Sequence, residues 1–323
     1  MHHTPTFQTT TPDVLPDEDD YMNALSLSRL AYDLEKVGSP LLAAAHLALM
    51  SYHNLYLGTV VGFLASASLV VSVLPPDPKP SELRSIYERT TRAIRLYLTV
   101  PRLKGLLALN PAVAAGGSMV FVNTVVLVQG TYGLGERYTA MALASFGLGS
   151  MLATLILPRL LKTTPDRPVM LSGTAVLVVA LLVGLLATSY WTLVVPWAVI
   201  GIGHSLVLTP SGRILRRSAS PEDRPALFAA RFALSHGCWL ITYPLAGWMG
   251  ATAGIPATYV ALAAITGIGA IIAARLWPSV EIDDSHVHTD LDASHPHIAG
   301  AAVTATGGYS HSHACVKDRH HRH

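Results

Sequence analysis

Charge is what this chain has least of: only 13% of its 323 residues are Asp, Glu, Lys or Arg, where a soluble globular domain carries about 25%. Carboxylates are the scarcest. Between Arg89 and Trp277 the only ones are Glu136, Asp166, Glu222 and Asp223. A stretch that long with so few acids cannot coat itself for water, which excludes a soluble domain, and its apolar content excludes disorder. Cysteine is scarce too: Cys238 lies in an apolar run and Cys315 in a polar tail, which gives neither a disulfide framework nor a structural zinc site. The polar opening segment, residues 1–20, has no basic first region and no apolar core, so it does not read as a secretory signal peptide. No span carries H-E-x-x-H or G-x-S-x-G, so the chain does not read as an intramembrane enzyme. No nucleic-acid partner is expected.

Apolar length is what the chain does have. Hydrophobic residues make up 51% of it, and the mean hydropathy is +0.42. A bilayer core of about 30 Å needs roughly 20 apolar residues per helix. Six such runs are clear, at residues 105–128, 138–157, 169–189, 191–208, 227–248 and 257–276. Residues 56–74 make a seventh. An eighth, residues 24–50, carries Arg29, Asp33, Glu35 and Lys36 in its first half. The alternative for that segment is an amphipathic surface helix ending before Pro40. Basic residues then fix the orientation. Lys79, Arg84, Arg89, Arg92, Arg95, Arg102 and Lys104 share one connection. Arg159, Lys162 and Arg167 share the next but one, and Arg213, Arg216, Arg217 and Arg224 the next but one again. The turns between them hold only Arg137. Cytoplasmic loops carry the excess of Lys and Arg, so these loops and the tail after Pro278 are expected on the cytoplasmic side of a multi-pass protein in the lipid bilayer.

This organisation carries a resemblance. Six spans preceded by a long basic connection and a pair of helices, with the loop LPRLLKTTPDRP inside the six, resemble the carboxyl half of a major facilitator superfamily transporter. Asp166 and Arg167 match the acid and base of that family's gating-loop motif, while Pro168 and the absent trailing basic pair depart from it. The segment RRSASPEDRPALFAARFALSHGCWLITYPLAGWMG is similar to the family's eleventh helix with its lead-in. Together with the tail it resembles a bacterial subgroup of nickel-resistance efflux permeases with histidine-rich tails. The resemblance implies an all-α membrane protein, a partial major facilitator fold with eight, or seven, transmembrane helices and the first four helices missing. It implies a truncated gene product or a companion chain supplying those helices, and a location in the bacterial inner membrane. The expected segments are residues 1–20, polar; 21–74, two transmembrane helices equivalent to the end of the amino-terminal half; and 75–104, a basic cytoplasmic linker. Residues 105–276 then form the six-helix half and 277–323 a histidine-rich cytoplasmic tail.

Ionisable groups within a bilayer cost at least about 2.5–3.5 kcal/mol and so face a cavity or a partner. Arg29 and Asp33, at i and i+4, share a helical face, and Asp33 or Glu35 is a candidate proton-coupling carboxylate. His204, His236 and Cys238 could line a soft-metal path, or the histidines could be helix-packing hydrogen bonders. Asn110 and Asn123 flank Gly116 and Gly117 as candidate cavity residues or interhelical hydrogen bonders. Arg231, close to a loop, is expected to reach the headgroups. The tail holds His286, His288, His295, His297, His311, His313, His320, His321 and His323, including three H-x-H pairs that suit a divalent metal such as nickel, cobalt or zinc. No other cofactor is expected. The function read from all this is proton-coupled export, with a metal ion or a small molecule such as a drug or metabolite as substrate. A non-transporting membrane metal-binding subunit is the competing reading.

Overall fold

The computed structural model describes residues 15, 17–49, 53–72, 86–219, 223–279, 284–288, 302–303 and 309–313. Helices dominate it: α1 (Glu18–Leu49), α2 (His53–Ser72), α3 (Ile86–Thr99), α4 (Pro101–Val125), α5 (Glu136–Thr163), α6 (Asp166–Gly184), α7 (Tyr190–Leu208), α8 (Ser211–Ser218), α9 (Arg224–Thr252) and α10 (Ile255–Leu276). Local chemistry sets several of their ends. Pro101 opens α4, and prolines also sit in the first turns of α9 and α10, where the missing N–H costs nothing. Ser189 and Thr192 form a reciprocal capping box at the start of α7. Gly254, at φ 85°, makes the tight turn from α9 into α10 that a side chain would strain. A π-helical turn, Val126–Thr131, extends α4 beyond the expected end of its span.

Among the described residues, five helical stretches are long and apolar enough to cross a membrane: Pro101–Thr131, Glu136–Thr163, Asp166–Gly184, Tyr190–Ser218 and Ile255–Leu276. Helix α9 has the length, 29 residues, but a more polar sequence. Helix α1 runs unbroken through Gly38, Ser39 and Pro40 to Leu49, so the helix does not end before Pro40, and α1 is not among the five stretches. Proline removes one backbone donor, and the helix continues around it. Expected spans 105–128 and 169–189 shift at their ends: the first helix starts at Pro101, and the second starts at Asp166 and ends at Gly184.

Small residues decide how the helices meet. A Cβ on Gly149 would lie 1.9 Å from the Ala198 carbonyl oxygen, and one on Gly201 would lie 2.0 Å from that of Phe146. Helices α5 and α7 therefore touch backbone to backbone. Gly269 plays the same part between α10 and α4, 2.7 Å from the Ala108 oxygen. Without a hydrophobic drive between helices in lipid, such close van der Waals contact is what holds them together. Two apolar clusters fill the bundle, one around Phe146, Leu177 and Trp197 and the other around Leu103, Phe228 and Trp277. A smaller cluster of Met22, Leu157, Leu161 and Val169 seats α1 against α5 and α6. Large apolar side chains such as Leu152, Ile156, Leu240 and Trp248 are exposed on the outside, as a lipid-facing surface requires. The tail adds a three-stranded antiparallel sheet absent from the sequence reading: β1 (Asp284–His288), β2 (Ala302–Val303) and β3 (Tyr309–His313), in the order β1-β3-β2.

Candidate functional site

The most polar interior point lies halfway along three helices. Asp33 is the sixteenth residue of the 32-residue α1, Ser150 lies mid-way along α5, and His204 lies mid-way along the stretch Tyr190–Ser218. Asp33 is fully buried, and Arg29 Nε stands 3.2 Å from its Oδ2. Ser150 Oγ donates to the same carboxylate oxygen. Arg29 Nη2 donates in turn to Ser150 Oγ at 3.2 Å and to His204 Nδ1 at 3.1 Å. A guanidinium has only donors, so Nδ1 must accept, and the His204 proton resides on Nε2. Asp33 Oδ1 has no hydrogen-bond partner among the described residues. Alongside, Thr154 Oγ1 and Ser205 Oγ lie 2.7 Å apart and continue the polar seam between α5 and α7.

Aromatic rings wall this cluster. His204 meets Phe146 edge to face at 5.4 Å and Trp239 at 6.2 Å, and Trp239 also packs on Phe121 and Tyr243. Gly117 makes room for Trp239: a Cβ there would lie 2.1 Å from the indole. The site thus presents one carboxylate, one guanidinium, a neutral imidazole and hydroxyls against flat apolar faces.

The other expected residues are placed differently. Glu35 is exposed on α1. His236 is exposed on α9, where its Nδ1 lies 2.8 Å from the Phe232 carbonyl oxygen and its ring stacks on Phe232. Cys238 is a free, half-buried thiol. Among the described residues no three His, Cys, Asp or Glu side chains gather into a metal-sized group. Asn123 donates to the Ala246 carbonyl oxygen at 3.4 Å, which ties α4 to α9, and Asn110 is buried with no partner for its Nδ2. His286, His288, His311 and His313 fall on β1 and β3, with His286 opposite His311 in the register and Asp284 opposite His313. His295, His297, His320, His321 and His323 lie outside the described residues.

Asp166 and Arg167 close one end of the bundle. Arg213 grips Asp166 with Nε at 2.9 Å and Nη2 at 2.7 Å from Oδ1. Glu18, at the start of α1, joins Arg213 at 3.5 Å and also pairs with Arg217. Lys162 reaches Asp19 at 2.6 Å. Arg167 donates to the carbonyl oxygens of Trp277 at 2.7 Å and Ala274 at 3.0 Å, which satisfies the last turn of α10. Arg102 does the same for α8 through Ser218 Oγ and the Arg217 carbonyl. Sequence reasoning missed Ser150, and it counted Arg213 only as loop charge. Serine beside glycine carries no sign of a partner two helices away.

A multi-pass helical bundle with a buried ionic site at mid-depth and an ionic clasp at one end defines a membrane carrier. The family profile described as Major Facilitator Superfamily matches residues 107–299, more than half of the chain. The chain belongs to that superfamily, whose members are transporters, and it forms a partial version of the fold. No curated protein matches it.

Proposed function

We propose that the chain works as a proton-coupled exporter of a small polar or aromatic molecule in the bacterial inner membrane, with Asp33 as the coupling carboxylate. One observation carries this reading. Asp33 is fully buried at mid-depth, and Arg29 and Ser150 share one of its oxygens. A proton on Asp33 removes the charge that holds Arg29 and leaves that guanidinium to His204 or to a substrate. Loss of the proton restores the pair. Asp33 sits on α1 while Ser150 and His204 sit on α5 and α7, so each proton makes or breaks a tie between separate helices. Alternating access needs a tie of that kind. Asp166, Arg167 and Arg213 serve as a clasp that closes the cytoplasmic end, on the side where the tail also lies.

Transport of a divalent metal such as nickel or cobalt is the second reading, and the tail supports it: the β1–β3 register sets two H-x-H segments side by side with Asp284. Arg29 at the centre of the buried cluster opposes it, because a guanidinium 3.1 Å from His204 Nδ1 occupies the imidazole and repels a cation. The two readings separate in vesicles that contain the full chain and a trapped pH-sensitive dye. Nickel, cobalt, an aromatic organic cation and an organic acid are added one at a time under an imposed pH gradient. The coupling reading expects proton movement with an organic substrate and none with Asp33→Asn. Proton movement with nickel or cobalt alone supports the metal reading instead, and an Asp33→Asn chain that couples like wild type removes Asp33 from the mechanism.

A further inference from the structure

Toward the clasp end of the bundle, Arg231 of α9 turns inward rather than out to the headgroups. It donates to Ser211 Oγ, the first residue of α8, and its Nε has no hydrogen-bond partner. Among the described residues no ion pair holds it. The ionisable groups that act on it are the phenols of Tyr97 and Tyr21 and the guanidinium of Arg29, with no carboxylate among them. Of the acids at this end, Glu18 pairs with Arg213 and Arg217, Asp166 with Arg213, and Asp19 with Lys162. A partly buried guanidinium without a carboxylate partner is costly to keep.

Two hydroxyls share its surroundings. Tyr21 and Tyr97 are both fully buried, and neither hydroxyl has a hydrogen-bond partner. Buried polar groups are nearly always paired, so two phenols without partners among the described residues, near a guanidinium whose Nε has none, demand an explanation. Burial pushes the Tyr97 phenol well above its ordinary range, so it stays protonated and can donate. Tyr21 is held in place by Arg216, whose guanidinium lies 4.7 Å over its ring. Gly212 leaves the phenol its room, since a Cβ there would come within 3.3 Å of the Tyr21 hydroxyl. One positive charge without a carboxylate partner, with phenol donors from two helices, is what an anionic oxygen needs, while Ser211, whose own O–H donates to the Leu208 carbonyl, holds Arg231 in place.

We propose that Arg231, positioned by Ser211, forms with the phenols of Tyr21 and Tyr97 a binding site for an oxyanion, a carboxylate or phosphate group. A guanidinium matches the planar geometry of either group, and the phenols complete its hydrogen bonds. The proposal does not depend on the coupling role given to Asp33, although Arg29, which pairs with Asp33, is among the groups that act on Arg231. The oxyanion is either the charged group of a soluble small molecule or the phosphate of an anionic lipid headgroup.

The test uses the purified full chain in nanodiscs, with thermal unfolding followed by tryptophan fluorescence. Succinate or inorganic phosphate is added at matched ionic strength to discs of phosphatidylcholine alone. In parallel, phosphatidylglycerol is added to the discs without the soluble anions. Binding to the folded state raises the midpoint with ligand concentration. The expected result is stabilisation by at least one of these oxyanions, with apparent affinity weakened about tenfold by Arg231→Gln and measurably by Tyr97→Phe. Arg137→Gln, at an exposed turn position, should behave as wild type. Stabilisation by succinate or phosphate in neutral discs identifies a soluble anion, and stabilisation by phosphatidylglycerol alone identifies a headgroup. If Arg231→Gln does not fold, Arg231→Lys and Tyr97→Phe carry the comparison, because each keeps the bulk of the side chain and removes part of the donor geometry. No stabilisation by any of the three, or equal stabilisation of wild type and the site variants, overturns the proposal.

Discussion

Asp33 and Arg29 show how far residue chemistry alone can be read. A carboxylate in an apolar run must find a partner, and a basic residue four positions earlier is the nearest one a helix can offer. The structure makes that pair at 3.2 Å. Replacing Asp33 by Ala leaves Arg29 buried without its counter-charge, an error that costs about 3–5 kcal/mol. Asp33→Asn keeps the shape and a hydrogen-bonding oxygen for Ser150. Denaturation of the purified variants should therefore rank stability as wild type, then Asp33→Asn, then Asp33→Ala, and equal stability of wild type and Asp33→Ala would mean that the pair is not formed. The third-helix partners, Ser150 and His204, were not legible as a group, because their meeting depends on the rotation of α5 and α7 about their axes. That rotation is set by Gly149 and Gly201, whose spacing reads only as packing. Gly117 makes a second residue-scale prediction. Gly117→Ala puts a methyl into the Trp239 indole, so Trp239 must shift away from His204, and its fluorescence maximum should move while helicity is kept. An unchanged emission spectrum would count against the close contact.

At the scale of elements, the clasp joins α1, α5, α6 and α8 through charge. The Asp166–Arg213 pair is buried and doubly bonded, while Lys162–Asp19 is exposed and worth about 1 kcal/mol or less. Asp166→Asn should therefore loosen this end of the bundle far more than Asp19→Asn. Cysteines placed at residues 18 and 217 should cross-link in wild type and lose cross-linking with Asp166→Asn. Equal loss with Asp19→Asn would show that the exposed pair dominates. The resemblance pointed to Asp166 and Arg167 as a loop motif, but it gave Arg167 no partner. Its use in capping α10 follows from a fold in which the start of α6 lies beside the end of α10. The continuity of α1 through Pro40 was the expected reading of residues 24–50, with a break before Pro40 as the alternative, since proline both breaks soluble helices and is tolerated in membrane ones. The short helix α8 was hidden within a run of basic loop residues.

At the scale of the whole molecule, charge shortage and loop asymmetry give the membrane class and most of the helices. The five stretches that can cross a membrane fall within the six expected in the second part of the chain. Helix α9, the remaining expected span, has the length but is not among them, and it carries Arg231 and His236. The tail shows the limit of composition. Its histidines read as metal-binding from clustering alone, while the pairing of β1 with β3 is a long-range contact that no local pattern announces. If that pairing presents a metal site, replacing His286, His288, His311 and His313 with Ala should weaken nickel binding by the purified chain more than replacing His320, His321 and His323. Calorimetry with nickel chloride measures the difference, and equal losses would mean a diffuse tract. The central claim is the coupling role of Asp33, and the most direct measurement is substrate-driven proton movement in vesicles that contain wild type or Asp33→Asn. The account predicts that wild type moves protons on substrate addition, and that Asp33→Asn still exchanges labelled for unlabelled substrate but moves no protons. Proton movement by Asp33→Asn at the wild-type rate would contradict it.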